Sequence, residues 1–206
     1  MKPPISDIAF TESVKAVQQR MGSRKHYERM ETAGGWENVI SKDLAGFIGD
    51  RDSFYLATAN AKGQPYIQHR GGPKGFLKVL DERTLAFADF AGNRQYITVG
   101  NLAENKQAFL FLMDYVNQTR VKIWGTAEVV DDPRLVKQLT DPAYKGKSER
   151  AIRFHVEAFD INCRQHIRPR FTQEEVEALV QPLRDRLAEL EAENKALKRS
   201  GAERTR

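Results

Sequence analysis

Three short basic clusters are the places in this chain where side-chain type and spacing could do chemistry. They are QHRGG at Gln68–Gly72, GNRQ at Gly92–Gln95 and CRQHIRPRF at Cys163–Phe171. Arginine presents a planar fork of donors that grips phosphate or carboxylate through two directed bonds. In the second cluster the corner stands between the apolar stretch FADF and the helix-forming stretch ITVGNLAEN. Backbone amides at that helix start can join Arg94 on one anion. The same residues also suit a solvated turn, and the local pattern leaves both readings open. In the third cluster Arg164, His166, Arg168 and Arg170 recur at every second position. An extended strip would line them along one face, toward a cofactor, a nucleic acid or another subunit.

Other chemistries are less well supplied. His26, His69, His155 and His166 are scattered, without the spacing of a zinc site, so no metal is expected. His155, between Phe154 and Val156 in a strand-like run, reads as a structural or interface residue. Cys163 is the single cysteine, which excludes an internal disulfide, and without a CxxC partner it is not expected to act as a nucleophile. Neither a Walker A sequence nor a GxGxxG fingerprint occurs. GGPKG at Gly71–Gly75 lacks a donor at Pro73 and is not followed by the phosphate-loop ending, so it reads as a loop.

The formal charge of +5 belongs to the body of the chain: the 26 basic and 20 acidic residues before Phe171 face 7 and 8 after it. A basic body attracts nucleic acid, membrane phosphate or an anionic cofactor. No reading helix or RNP pattern accompanies the charge, so nucleic acid is not an expected partner. No run of about 18 apolar residues offers a membrane span. The opening MKPPISDIAF has no apolar core of signal-peptide type. The expectation is a cytoplasmic protein.

The positioning elements follow from hydrophobic period and turn chemistry. TESVKAVQQRMG predicts a short helix and METAGGW a loop. Ser41 predicts a cap for a helix in KDLAGFIGDRD. FYLATAN, PYIQHRG, Phe76–Leu80, Leu85–Ala88, QAFLFLMDY, RVKIWGTAEVV and AIRFHVEAFDINC read as strands, with helices in ITVGNLAEN and DPRLVKQL. Six or seven strands on short connections favour a barrel or sandwich, so the fold class is mainly β with peripheral helices. Three regions are expected: an N-terminal extension over 1–40, a barrel over 41–170 and a helical tail over 171–206. In the tail Thr172 and Glu175 form a capping box. Val176, Val180, Leu183, Leu187, Leu190, Asn194 and Leu197 follow heptad spacing, and Pro182 predicts a break near Gln181. A coiled coil joining two chains and a helix lying on its own domain both fit that pattern.

FYLATANAKGQPYIQHRGG, LAFADFAGNRQYITVGNLAEN and RVKIWGTAEVV resemble the FMN-binding split-barrel proteins related to pyridoxamine 5′-phosphate oxidase. AFDINCRQHIRPRFT resembles the carboxy-terminal segment of an uncharacterised branch. The resemblance implies a six-stranded split β-barrel and a homodimer with two shared FMN sites. It implies that Arg94 holds the FMN phosphate, with Asn93 and Gln95 beside it. Gln68, His69 and Arg70 correspond to a strand touching the flavin, and Arg120 to a contact from the other subunit. His166 and Arg168 roughly match the substrate segment, where an acidic substrate or a reduced nicotinamide donor would bind. HRGGPKG and the Gly92-Asn93-Arg94 corner depart from the oxidase pattern. The expected function is therefore an FMN-dependent oxidoreductase of unknown small-molecule substrate rather than a vitamin B6 oxidase. A non-catalytic flavin-binding protein and a deazaflavin F420-dependent reductase are the alternatives.

Overall fold

The computed structural model describes residues 3–162 and 164–204; Cys163 and the reading attached to it lie outside them. Alternating apolar residues produce seven strands: β1 (Ser53–Ala59), β2 (Pro65–Gly71), β3 (Lys78–Asp81), β4 (Thr84–Phe90), β5 (Gln107–Asp114), β6 (Thr119–Val130) and β7 (Ser148–Asn162). All pair antiparallel in one sheet of order β2-β1-β5-β6-β7-β4-β3. The class is the predicted one, a split β-barrel with peripheral helices. The sheet carries one strand more than the six implied by resemblance.

Period 2 puts Leu56, Leu110, Leu112, Ile123, Ile152 and Phe154 inside, each fully buried. The sheet curls where β6 and β7 shift register between Trp124 and Gly125, leaving Glu157 as the extra residue of the longer strand. β4 is buried on both faces. Leu85 and Phe87 join the barrel core, while Ala86 and Ala88 lie under Leu139 of α5 (Pro133–Leu139). Small side chains on that outer face let the helix approach closely.

Side-chain caps define the helix starts, and the one at Ser41 is as the sequence predicts. Thr11 and Ser41 accept from Val14 and Leu44 at the starts of α1 (Glu12–Arg20) and α3 (Lys42–Gly49). Asp132 accepts from Arg134 before Pro133 opens α5. Two expectations fail. Part of METAGGW is helical: Met30–Thr32 ends α2 (Arg24–Thr32). This helix is strongly polar, with only Tyr27 and Met30 as larger apolar residues. It is held by Arg24, which pairs with Glu28 one turn on and with Glu31, and bonds Gln18 of α1.

The tail does not break either. α6 (Gln173–Arg204) runs through Pro182. Proline removes one donor, and the Ala178 carbonyl it would have met is on an exposed stretch where water can replace it. The capping box forms as expected, with Thr172 N donating to Glu175 Oε2 at 2.8 Å and Glu175 N to Thr172 Oγ1 at 3.2 Å.

The N-terminal residues reach the barrel through Trp36, which stacks on Trp124 of β6 with ring centres 4.6 Å apart. Arg51, after α3, locks the other end. It donates to the Phe47 and Met113 carbonyls and pairs with Asp114 at 3.0 Å. Burial works to raise the pKa of the Asp114 carboxyl. Two hydrogen bonds from Asn117 and the Arg51 charge outweigh it and hold the group below its ordinary value. The folded pKa thus lies below the unfolded one. The stability it contributes is present above the unfolded value, about 3.9, and is lost as pH falls through the folded value. Asp114→Asn is expected to cost about 3 kcal/mol at pH 7 by stranding a buried guanidinium. Urea unfolding from pH 7 to pH 3 should show the gap to the parent shrinking at acid pH. A gap unchanged across that series would refute the account.

Candidate functional site

One groove gathers most of the polar side chains singled out by sequence. β2 supplies its wall. Strand alternation turns Tyr66, Gln68 and Arg70 toward the groove and sends Ile67 and His69 to the opposite face. β4 supplies Asp89, and the corner after it, Gly92 to Tyr96, forms the rim. α4 (Ile97–Glu104) forms the floor with Thr98 and Val99, and β7 adds Glu149 at the edge. The groove is open to solvent, with a cavity volume of about 50 Å³.

The charges are ordered around Asp89, which is buried among apolar neighbours. Arg70 Nη1 bonds Asp89 Oδ1 at 2.5 Å. Arg150 Nη1 stands 3.6 Å from Asp89 Oδ2, its Nη2 bonds Glu149 Oε2 at 3.0 Å, and its guanidinium lies over the Tyr96 ring. Gln68 Oε1 accepts from Thr98 Oγ1 at 3.0 Å, which ties β2 to α4. Beneath them Asn101 Nδ2 donates to Thr58 Oγ1 in a buried bond. Arg70 Nε is itself buried with no acceptor among the described residues.

The corner is unusual in its backbone. Arg94 and Tyr96 have φ of 58° and 53°, in the left-handed region that side-chain-bearing residues seldom enter. Asn93 Oδ1 accepts from Gln95 N at 3.2 Å and closes a turn. Tyr96 occupies the N-cap of α4 and offers no side-chain bond. The first-turn amides of α4 are therefore left for a partner outside the helix, at the positive end of its dipole. Arg94 is exposed at the same rim and forms no ion pair among the described residues. Three arginines against two carboxylates leave one positive charge in excess, beside uncapped amides. That arrangement suits an anion with several acceptor oxygens.

Gln68, Arg70, Asn93, Arg94 and Gln95 thus come together. His69 and Arg120 do not join them within one chain. His69 meets Tyr55 edge to face on the other side of the sheet. Arg120 pairs across strands with Met113 and Asn162, and alternates with the core residue Val121. The segment with His166 and Arg168 is not the straight strip that alternate spacing suggests. It turns at His166, where φ is 63°, and its buried anchor is Ile167, whose carbonyl accepts from Gln118 Nε2. Arg170 lies over the Tyr115 ring at 4.7 Å, and His166 and Arg168 are exposed.

The GGPKG loop spends its amides internally. Gly72 N and Gly75 N donate to the carbonyls of Asp52 and Arg51, at 2.9 and 2.8 Å. Asp89 and Arg150 were missed by sequence reasoning. One signal was available: Asp89 sits in the otherwise apolar run LAFADF, and a buried carboxylate demands a cation facing it. His155 is exposed on β7, and no metal-binding group of His, Cys, Asp and Glu occurs among the described residues. No described helix is long and apolar enough to cross a membrane.

Among solved structures, HupZ from Group A Streptococcus is 20% identical, with 58% of this chain and 91% of that one covered and a TM-score of 0.48. An FMN-binding protein from Syntrophomonas wolfei is 14% identical over 75% and 98%, at 0.45. HutZ, the heme storage protein of Vibrio cholerae, is 14% identical over 60% and 94%, at 0.39. No curated protein sequence matches. The family model described as Pyridoxamine 5'-phosphate oxidase matches residues 40–163, which span β1 to β7 and the whole groove. On that match the chain belongs to the pyridoxamine 5'-phosphate oxidase family.

Proposed function

We propose that the groove holds FMN by its phosphate and that the protein is an FMN-dependent oxidoreductase of a small molecule, acting as a homodimer. The observation that carries this reading is the anion cradle itself: uncapped α4 amides and the unpaired Arg94 share one rim, and Arg70 lines the same groove. A phosphate monoester supplies acceptors for the amides and the Arg94 fork and the charge that balances the excess arginine. The residues present fit the phosphate end of the cofactor.

Bound FMN supplies electron or hydride transfer through its isoalloxazine ring. In this reading the chain's own groups bind and orient. Arg94 and the α4 amides take the phosphate, and Gln68, fixed by Thr98, borders the path toward the ring. Arg70 is held by Asp89, so its guanidinium stays in place along the groove without a search through rotamers. His69 and Arg120 face away from their own groove, and a second chain's groove is where they would contribute. That geometry favours a shared site. His166 and Arg168, exposed near the β5–β6 turn, remain the proposed contacts for an acidic substrate or a nicotinamide donor.

The protein purified from cells is expected to show flavin absorbance and to release FMN on denaturation. Stripped protein should rebind FMN at micromolar concentration. Bound flavin should then be reduced by NADH or NADPH. Binding with no reduction by either would select the non-catalytic alternative, and turnover only with reduced F420 would select the deazaflavin one. A heme absorbance band in place of flavin, or no FMN affinity at micromolar concentration, overturns the proposal.

A further inference from the structure

The long tail helix presents its apolar seam to solvent instead of to the barrel. Leu183, Leu187 and Leu190 are 69, 58 and 45% exposed, so the reading of a helix lying on its own domain fails for these residues. In heptad register Val180, Leu187 and Asn194 occupy a, and Val176, Leu183, Leu190 and Leu197 occupy d. Leucine fills three of the four d positions, Val180 is the β-branched residue at a, and Asn194 puts one polar group in the seam, a pattern compatible with two strands. Pro182 falls at c, on the outer side, so its missing donor does not disturb a seam.

We infer that α6 pairs with α6 of a second copy of this chain as a parallel, in-register coiled coil. The flanking charges favour self-pairing. Arg186 and Glu193 at g would stand opposite the partner copy's e positions, which carry Glu and Lys at 191 and 198. Arg186 currently bonds Glu189 of its own helix in an exposed pair, which is weak enough to exchange. These charges alone would also tolerate an antiparallel pair, so they do not choose the direction. Asn194 does. In parallel register it meets the same amide of the partner copy, and each can donate to the other. The antiparallel register that aligns the seam puts it against a leucine at position 183, leaving a buried amide without a partner. The two-fold axis then runs along the seam. Arg170, which immediately precedes the helix region, is seated on Tyr115, and Tyr115 is tied to Tyr55. The helix therefore departs from the same outer face that carries His69, and pairing brings the two outer faces to one axis. This inference does not rest on the cofactor reading.

Disulfide trapping of the full chain tests it. In a Cys163→Ser background, Val180→Cys and Leu197→Cys are each introduced alone, with Ala192→Cys on the outer f position as control. The two seam positions lie 17 residues, about 25 Å, apart along the helix, so no antiparallel register brings both to their own copies. With oxidised glutathione, both seam variants are expected to form covalent dimers, at least about tenfold faster than the control. Trapping at only one seam position, at neither, or equally at the outer position overturns the inference. All three substitutions are on an exposed helix, and circular dichroism confirms that the helix is retained.

Discussion

Gly125→Ala is expected to cost about 3 kcal/mol of folding stability, at the upper end of the range for overpacking. A Cβ built on Gly125 would sit 1.9 Å from the His155 carbonyl oxygen and 2.8 Å from the Phe154 ring. The first of these is backbone of the neighbouring strand, so no rotamer change relieves it. The glycine lies at the β6–β7 register shift, where two of the longest strands bend together to curl the sheet. Its φ is ordinary, so close approach and not left-handed backbone is the reason for glycine. For a chain of this size the loss amounts to roughly 10 °C in Tm. Gly92→Ala provides the contrast, since nothing lies within 4 Å of a Cβ there. Chemical denaturation of the two variants against the parent decides the matter. If Gly125→Ala unfolds within about 0.5 kcal/mol of the parent, the bulge does not depend on close approach.

Arg94→Ala is expected to weaken FMN about 30-fold while changing riboflavin affinity less than about threefold. A hydrogen bond to a charged group contributes about 1.5–3 kcal/mol, which is tenfold to a hundredfold in affinity. Only FMN offers the anion. Arg94 is a cleaner target than Arg70, because Arg70 is 88% buried with its carboxylate partner Asp89 and its removal would strand that charge in the barrel. Arg94 is exposed and has no such partner, so its loss should leave folding untouched. Added salt should weaken FMN binding to the parent more than to the variant. Equal losses for FMN and riboflavin would remove Arg94 from the phosphate role while leaving the α4 amides in place.

Much of the scaffold was legible because it depends on short-range rules. Period-2 alternation located the seven strands, and Ser41 and Thr172 announced the starts of α3 and α6. Helix α2 escaped because its composition is strongly polar, and part of its support comes from a tertiary link from Arg24 to Gln18. Pro182 misled because its cost is local, and solvent around an exposed helix can absorb it.

The site divides along the same line. Residue type alone marked GNRQ as a candidate anion corner beside the reading of a solvated turn, since arginine before a helix start is chemistry written in consecutive residues. By itself the sequence also determined the strand class, the capping box and the heptad seam. Only the tertiary structure decided what stands around Arg94. It brought Asp89, Arg70 and Arg150 together from three strands, because a buried carboxylate must find its cations wherever the sheet order puts them. It turned Gln68 and Arg70 inward and His69 outward, since register fixes which alternate set faces the groove. It bent the basic segment at His166 around a buried Ile167, where alternate spacing had suggested a straight strip. Period and capping are carried by neighbours in the chain. Charge pairing and facing are set by residues far apart in sequence, and no local pattern records them.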